Sequence, residues 1–304
     1  MSLWLTGTAA IGLKVKELKV LITIPHVFAP EDGSIYSSRS ASKKAIKGKG
    51  LEVATLENLC RHGYKTWIHA SLGKYKPVVT REIKNEVGVD LKIRVYTVKG
   101  NNLIENLIGK HPQLEVIAVD TNDYKTLPIL ASRNALEEAE DYDIIGYMED
   151  DILIEDNEFF DKINYLVKSC GEDYAFIPHR CEFIPYKGDV ILSGDPDGGR
   201  PDLFWDTGER LEVQWALTTR YFYRATNPHS GCYFLSRNQA LRVKEYWEEK
   251  SWICKFQLSG PLEQAGSGIL LPVLKIMKPI PIHYKFLMVR HQDQLWKRHP
   301  FERK

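Results

Sequence analysis

Short apolar runs alternate with helix-like segments through the first half of the chain, and this alternation limits the folds available to it. Five runs have the length and apolar content of buried strands, and segments with helical apolar spacing lie between them. Strands that alternate with helices form sheets whose neighbours are parallel, with helices on both faces. We therefore predict an α/β protein with a Rossmann-like mixed sheet that is mostly parallel. The predicted strands are 19–28, 65–72, 91–100, 114–121 and 142–148, and the predicted helices between them are 51–63, 80–88, 102–112 and 127–141.

The second half of the chain has a different composition. After a predicted helix at 157–170, strand-like and aromatic-rich segments occupy 174–235, and helical spacing returns at 236–250 and 262–277. The remaining residues, beginning with PIPIHYKF, are predicted to form an extended tail. We divide the chain, as one continuous domain, into an N-terminal arm (1–18), a first half (19–155) and a second half with a C-terminal tail (156–304).

Charge and cysteine content exclude several classes of protein. The formal net charge is +1 over 304 residues, which does not favour binding to nucleic acid. No apolar run reaches the roughly 18 residues that a membrane-spanning helix needs. The five cysteines are odd in number and form no CxxC pair, which is typical of a reducing compartment. We expect a cytoplasmic protein without a transmembrane segment, and peripheral association with a membrane stays open.

Three consecutive carboxylates, Glu149, Asp150 and Asp151, directly follow the predicted strand 142–148. Adjacent negative charges repel one another, so they need either solvent or a cation. In an open parallel sheet, ligands bind beyond the carboxyl ends of the strands, where these three residues are predicted to lie. Carboxylate oxygens suit Mg²⁺ or Mn²⁺, which complete their coordination with phosphates. The sequence is compatible with a solvated acidic turn or with a metal site.

An apolar strand that runs into an acidic triplet resembles the DxD-type motif of GT-A glycosyltransferases, in particular the family-2-like group. The match is Glu149-Asp150-Asp151, a variant form of that motif. The resemblance implies the GT-A fold, an Mn²⁺ or Mg²⁺ cofactor, a UDP- or GDP-sugar donor and a carbohydrate or other hydroxyl acceptor. It also implies that Asp151 binds the metal, whereas Glu149 and Asp150 face the donor. The first half would then bind the nucleotide-sugar and the second half the acceptor.

The same resemblance implies further donor contacts. SRNALEEAEDYD resembles the segment that carries an Arg-Asn pair in these enzymes, so Arg133 and Asn134 are donor-side candidates. Arginine suits a diphosphate because its guanidinium binds phosphate oxygens through two hydrogen bonds. The end of the first strand, Pro25 and His26, is expected to line a nucleobase slot, and Asp120 is expected to approach the ribose or the base. A helix surface for the pair, and a buried core position for His26, are the structural alternatives.

The acceptor side is expected in the second half. HSGCYFLSRNQA resembles the acceptor loop of these enzymes, which places His229, Ser230 and Gly231 beside the acceptor. Trp205 and Asp206 belong to a group of aromatic and acidic residues that would form a sugar-stacking platform. A tight turn and an ordinary aromatic core are the alternatives.

Two further residues complete the expected machinery. Inverting transfer needs a carboxylate that takes the proton of the acceptor hydroxyl, and Glu263 in GPLEQAGSG matches the expected position. The acid beside it in the family is replaced here by Gln264, so the match is partial, and a helix-capping role is the alternative. Many GT-A enzymes also use a C-terminal histidine as a metal ligand. His291 and His283 are the candidates, and we favour His291 because polar residues surround it.

Three functions are therefore compatible with the sequence. The first is a metal-dependent, hexosyltransferase-like glycosyltransferase that inverts the sugar. The second is a nucleotidyltransferase of the same fold, which TIPHVFAPEDGS disfavours because a Gly-rich loop does not follow the first strand. The third is a carbohydrate-binding protein that has the fold but no catalytic activity.

Overall fold

The structure, a computed structural model, describes ten ranges of the chain, and every structural statement below concerns these ranges. Trp205, the predicted sugar-stacking residue, lies outside them, as does most of the predicted N-terminal arm. The side chains of 66–72, 77–84, Ile184, 190–191 and Asp206 are also not described. The described ranges are 17–28, 58–63, 66–72, 77–84, 88–104, 108–184, 188–191, 206–225, 229–252 and 260–292.

Strands outnumber helices among the described residues. The strands, in chain order, are β1 (Leu18–His26), β2 (Thr66–Leu72), β3 (Pro77–Lys84), β4 (Val89–Val98), β5 (Leu114–Val119), β6 (Ile144–Met148), β7 (Ile152–Leu153), β8 (Tyr174–Phe176), β9 (His179–Ile184), β10 (Gly188–Ile191), β11 (Asp206–Trp215), β12 (Thr218–Ala225), β13 (Cys232–Ser236), β14 (Lys275–Pro279) and β15 (Met288–His291). The α-helices are α1 (Cys60–His62), α2 (Leu127–Glu137), α3 (Phe159–Cys170), α4 (Arg237–Glu249) and α5 (Pro261–Glu263).

A five-stranded sheet in the order β13-β6-β1-β4-β5 forms the centre of the fold. The four strands β6, β1, β4 and β5 are parallel, and β13 is antiparallel to β6. Val20, Leu21, Ile22 and Ile24 of β1 have no exposed surface, as expected for a parallel strand that is covered on both faces. The α/β prediction is confirmed, and the run of carboxylates follows a strand next to the sheet's centre.

Helices cover both faces of this sheet. Ile145 and Tyr147 of β6 belong to the core cluster that includes Ala131 of α2. Ile144 and Met148 alternate with them and belong to the opposite cluster, together with the buried phenylalanines of α3. The two clusters hold β6 in a fixed position, so the chain leaves Met148 in a defined direction.

The prediction of a mostly parallel sheet is wrong for the fold as a whole. The other sheets have the orders β10-β9-β15-β7, β11-β12-β14-β8 and β2-β3, and most of their strand pairs are antiparallel. Short connections account for part of this difference, because a two-residue turn such as Ala216–Leu217 joins only antiparallel strands. The structure is therefore a mixed-sheet α/β fold.

Three local predictions also differ from the structure. The run 65–72 forms β2, which pairs with β3 outside the central sheet, and β3 replaces much of the helix expected at 80–88. The β-branched residues of PVVTREIK explain the strand. The described residues of 102–112 form bends and turns. The helix expected at 262–277 is reduced to α5 and a π-helical turn, because Gly266, Gly268 and Pro272 disfavour a longer one, and β14 follows.

Candidate active site

The three carboxylates lie in a turn between β6 and β7. The backbone N–H of Glu149 donates to the carbonyl of Gly231 over 2.8 Å, which continues the β6–β13 pairing by one residue. The N–H of Ile152 donates to the carbonyl of Glu149 over 3.3 Å and closes the turn. Because the backbone turns here, the three side chains enter three different environments.

Glu149 points into the protein, where it is 7% exposed. Its Oε2 lies 3.6 Å from Nη1 of Arg180, and its Oε1 lies 3.8 Å from Nε2 of His229 and accepts no hydrogen bond. Burial raises the pKa of Glu149 to about 8, although Arg180 acts in the opposite direction. Desolvation of the carboxylate thus outweighs the attraction of the nearby guanidinium.

Asp150 is held by His26. Its Oδ2 lies 2.6 Å from Nδ1 of His26, and the N–H of Leu103 donates to the other ring nitrogen, Nε2, over 3.1 Å. Because Nε2 accepts a hydrogen bond, we assign the ring hydrogen to Nδ1, which donates it to Asp150. The expected nucleobase slot does not form from Pro25 and His26 here. Both residues are buried, and both nitrogens of His26 are already hydrogen-bonded.

Asp151 faces the C-terminal strand β15. Its Oδ2 lies 3.1 Å from Nε2 of His291, and Nδ1 of the same ring lies 2.8 Å from Oε1 of Glu182. Burial lowers the pKa of His291, but hydrogen bonds to both carboxylates outweigh that effect and raise the pKa to about 9. Of the three residues Glu182, His291 and Asp151, Asp151 is the most exposed, with 32% of its side chain accessible. Its Oδ1 has no hydrogen bond. The structure thus brings together the two residues that we predicted as metal ligands.

Strand β9 supplies two charged residues that the sequence analysis did not identify. Arg180 and Glu182 alternate along this strand, are 5% and 1% exposed, and approach Glu149 and His291 respectively. Charged side chains inside an apolar run are the only local signal of such a role, in YAFIPHRCEFIPY. Burial of ionised groups is unfavourable unless partners surround them, and here the partners come from β6 and β15.

The segment His229-Ser230-Gly231 lies beneath the carboxylates. All three residues are buried and lead directly into β13, as in the alternative of a tight turn followed by a strand. The hydroxyl of Ser230 donates to the carbonyl of Pro178. Burial lowers the pKa of His229 well below its ordinary value, and the charges of Arg180 and of a fully buried lysine act in the same direction. The segment supports Glu149 from below.

The backbone conformation and the close packing at position 231 explain why a glycine stands there. Its φ is +70°, a conformation that side chains rarely adopt, and a Cβ at this position would lie 2.9 Å from Cδ1 of Ile152. The same Cβ would lie 3.2 Å from Oε2 of Glu149. A glycine therefore lets β13 approach the turn closely enough to accept the hydrogen bond from Glu149.

Glu263 also belongs to this region. It ends the short helix α5 and is partly exposed, and its negative charge is close enough to contribute to the raised pKa of Glu149. Its carbonyl accepts a hydrogen bond from the hydroxyl of Ser267 over 2.8 Å, inside the π-helical turn. Glu263 is therefore near Glu149, and its role as a general base stays a prediction.

Four predicted residues lie elsewhere. Asp120 is exposed at the end of β5, three strands from β6 and thus about 14 Å away. Arg133 pairs with Glu137 over 2.7 Å on the exposed face of α2, and Asn134 contacts the hydroxyl of Tyr96 instead of the triplet. Asp206 begins β11 in another sheet.

The donor set is suited to a divalent ion that also binds a phosphate. Within the described residues, no group of three or more His, Cys, Asp or Glu side chains is arranged to hold a metal by itself. Oδ2 of Asp151 and Nε2 of His291 lie 3.1 Å apart and share a hydrogen bond, so a metal ion held by both atoms would replace the proton between them. Asp151 Oδ1 is buried without a hydrogen bond, and a cation would satisfy such an oxygen. Mn²⁺ accepts both imidazole and carboxylate, and phosphates complete such sites.

Comparisons with known proteins give no family. No protein-family model matches the chain, and no curated protein is significantly similar to it. In the part of the chain that the structure describes, we find no helix with the length and apolar character needed to cross a membrane.

Proposed function

We propose that the protein is a metal-dependent glycosyltransferase that moves a sugar from a UDP- or GDP-sugar to a hydroxyl acceptor with inversion. The observation that carries this proposal is the pair Asp151–His291, which lies just beyond the carboxyl end of a central parallel strand. Ligands of open α/β sheets bind at this position. The GT-A resemblance of the acidic triplet supports the same function.

The roles follow from the placement of each side chain. Asp151 and His291 would hold Mn²⁺ or Mg²⁺, and the bound ion would stabilise the negative charge on the nucleoside diphosphate leaving group. Asp150, which His26 orients, would accept hydrogen bonds from the ribose or the sugar. Buried Glu149 would support the turn and would not contact the donor directly.

Glu263 is the proposed general base. A general base must reach the acceptor hydroxyl, and Glu263 is partly exposed whereas Glu149 is buried. Its proximity to Glu149 places it on the same side of the fold as the triplet. In a single displacement, the acceptor oxygen forms a bond to the anomeric carbon, the bond to the diphosphate breaks, and Glu263 receives the hydroxyl proton.

Calorimetric titration with UDP and with GDP, with and without Mn²⁺, tests this function. We expect one of the two nucleotides to bind, and to bind more tightly with Mn²⁺. A screen for hydrolysis of UDP- and GDP-sugars, run in parallel, identifies the donor. If neither nucleotide binds in any condition, the glycosyltransferase proposal fails. If the protein instead joins a nucleoside triphosphate to a sugar 1-phosphate, it is a nucleotidyltransferase.

A further inference from the structure

Glu182 is a carboxylate in the interior of the protein, and among the described residues the one hydrogen-bond partner of its side chain is a nitrogen of His291. It is 1% exposed, its Oε1 lies 2.8 Å from Nδ1 of His291, and its Oε2 has no hydrogen bond. Such a group is unfavourable in the interior unless an interaction compensates for its lost hydration. The pairing with His291 is therefore a specific feature of this site.

Strand register fixes this contact. Strands β9 and β15 run parallel, and Arg290 is the partner of Cys181. The next residue on each strand is His291 and Glu182, so both side chains leave the same face of the sheet. On the other side, β15 pairs with β7, where His291 is the partner of Ile152, next to Asp151. Asp151 lies in the turn before β7, and the ring of His291 stands between it and Glu182, 3.1 Å from Asp151 and 2.8 Å from Glu182.

The imidazole has two distinct sides in this alignment. Nδ1 faces the buried carboxylate of Glu182, whereas Nε2 faces Asp151, which is 32% exposed. A carboxylate that binds one nitrogen of a histidine orients the ring, fixes which nitrogen carries the hydrogen and makes the other nitrogen a better ligand. Nε2, which Glu182 does not contact, shares a hydrogen bond with the partly exposed Asp151, so a metal ion bound at Nε2 would replace that proton.

We infer that Glu182 is a positioning residue that holds the Nε2 of His291 toward a divalent metal ion shared with Asp151. This inference rests on the metal site of the proposed function. It assigns to Glu182 an effect on metal binding that operates only through His291. An ion pair with a purely structural role would instead affect folding, and would not change the ratio of Mn²⁺ to Mg²⁺ affinity.

Binding of Mn²⁺ to the full-length chain tests the inference, measured by the paramagnetic resonance of free Mn²⁺, alone and with UDP or GDP. The variants are Glu182→Gln, His291→Ala and the double variant. The control is Glu209→Gln, which removes a carboxylate that pairs with Arg224 and Lys275 in another sheet. We expect Glu182→Gln to weaken Mn²⁺ binding about 10- to 100-fold and the control to leave it unchanged. In the His291→Ala background, the same change should weaken binding less than about 2-fold further.

A second measurement separates orientation from general damage to the fold. Imidazole favours Mn²⁺ over Mg²⁺, so misplacement of His291 should lower the ratio of Mn²⁺ to Mg²⁺ affinity. Partial unfolding would lower both affinities together. Should Glu182→Gln fail to fold, Glu182→Asp keeps the charge but shortens the side chain, and we expect the same fall in this ratio.

The outcomes distinguish the inference from the function on which it rests. If the wild-type protein binds no Mn²⁺ in any condition, both are overturned. If it binds Mn²⁺ and Glu182→Gln binds equally well, only the role of Glu182 is overturned. Equal weakening by Glu182→Gln with and without His291 also overturns that role, because the effect would not pass through the imidazole.

Discussion

His26 lies 2.6 Å from Asp150, although 124 residues separate them in the chain, and this contact joins the ends of the two central strands β1 and β6. The N–H of Leu103 donates a hydrogen bond to the other ring nitrogen, so the imidazole cannot rotate without losing a hydrogen bond. The carboxylate of Asp150 is consequently held in one orientation before any ligand arrives. Preorganised polar groups of this kind are what binding and catalysis require.

Replacement of His26 tests this relationship. His26→Ala should destabilise the protein by about 2 to 4 kcal/mol, because it opens a cavity and removes the hydrogen-bond partners of Asp150 and Leu103. It should also weaken nucleotide binding, since Asp150 is no longer oriented. Chemical denaturation and calorimetry measure the two effects. His283→Ala is the control, because His283 is partly exposed and its ring accepts a single backbone hydrogen bond, from Tyr221. Equal effects of the two changes would contradict the assigned role of His26.

The local pattern of the sequence was sufficient for the elements that build the central sheet. Strands β1, β4, β5 and β6 and helices α2, α3 and α4 lie where apolar periodicity predicts them, because each buries an apolar run or stripe. The same reasoning placed Glu149, Asp150 and Asp151 at the carboxyl end of a strand. His291 and Glu263 entered the prediction in a different way, through the resemblance to a family.

The parts that sequence reasoning missed depend on contacts between distant segments. Glu182 and His291 are 109 residues apart, and no local pattern shows that a charged residue in β9 faces a histidine in β15. For His26 the resemblance implied a nucleobase contact and the alternative was a buried core position, but neither identified its partner Asp150, 124 residues away. His229, Ser230 and Gly231 were expected beside the acceptor or in a tight turn, and the pairing of β13 with β6 makes them buried. The contacts of all these residues depend on how distant strands pair, and a short stretch of sequence does not show that pairing.

Lys278 gives a prediction about pH. This lysine of β14 is 2% exposed, and its Nζ donates to the carbonyl of His229 over 2.9 Å. Burial lowers its pKa to about 7, and the charge of Arg180 acts in the same direction. The native state therefore releases the proton at lower pH than the unfolded state, whose lysine has a pKa near 10.5. Between these two values the unfolded state binds more protons, so this group makes the protein more stable as the pH rises.

Lys278→Met should remove that dependence. We expect the stability of the wild type relative to Lys278→Met to increase by up to about 1.4 kcal/mol per pH unit between pH 7 and pH 9. Urea denaturation at several pH values measures it. Lys168→Met is the control, since Lys168 is exposed on α3 and should show no such trend. A constant difference between wild type and Lys278→Met would show that the native lysine stays charged.

The proposed metal ligand Asp151 is partly exposed, so a substitution of similar size does not remove a fully buried side chain. Asp151→Asn keeps the size of a side chain that is 32% exposed, so the thermal unfolding temperature should change by only a few degrees. Sugar transfer and Mn²⁺-dependent nucleotide binding should be lost, because an amide oxygen is a weaker ligand than a carboxylate. Asp173→Asn, at an exposed aspartate paired with Arg242, is the control and should keep both activities. Normal turnover of Asp151→Asn would remove this residue from the mechanism.

Glu263→Gln separates catalysis from binding. Loss of the general base should lower kcat by about 100- to 10,000-fold while the affinity for the nucleotide changes little. Steady-state kinetics on the identified donor, together with nucleotide titration, measure the two quantities. Glu248→Gln, on the exposed side of α4, is the matched control. If kcat is unchanged, another group takes the acceptor proton, and the assignment of Glu263 is wrong.

Gly231→Ala tests whether close approach of β13 to the acidic turn is needed. The added Cβ would meet Cδ1 of Ile152 at 2.9 Å and would stand on a backbone with φ of +70°.

Gly208→Ala provides a matched control, because Gly208 has φ of +81° but no atom within 4 Å of the added Cβ. Both changes carry the cost of the left-handed conformation, about 1 kcal/mol, and only Gly231→Ala adds the collision. We expect Gly231→Ala to lower the free energy of unfolding by at least 1 kcal/mol more than Gly208→Ala, because overpacking costs about 1 to 3 kcal/mol. It should also weaken Mn²⁺ binding, since the displaced turn carries Asp151. Equal destabilisation by the two changes would mean that the turn relaxes freely and that Gly231 is needed only for its backbone conformation.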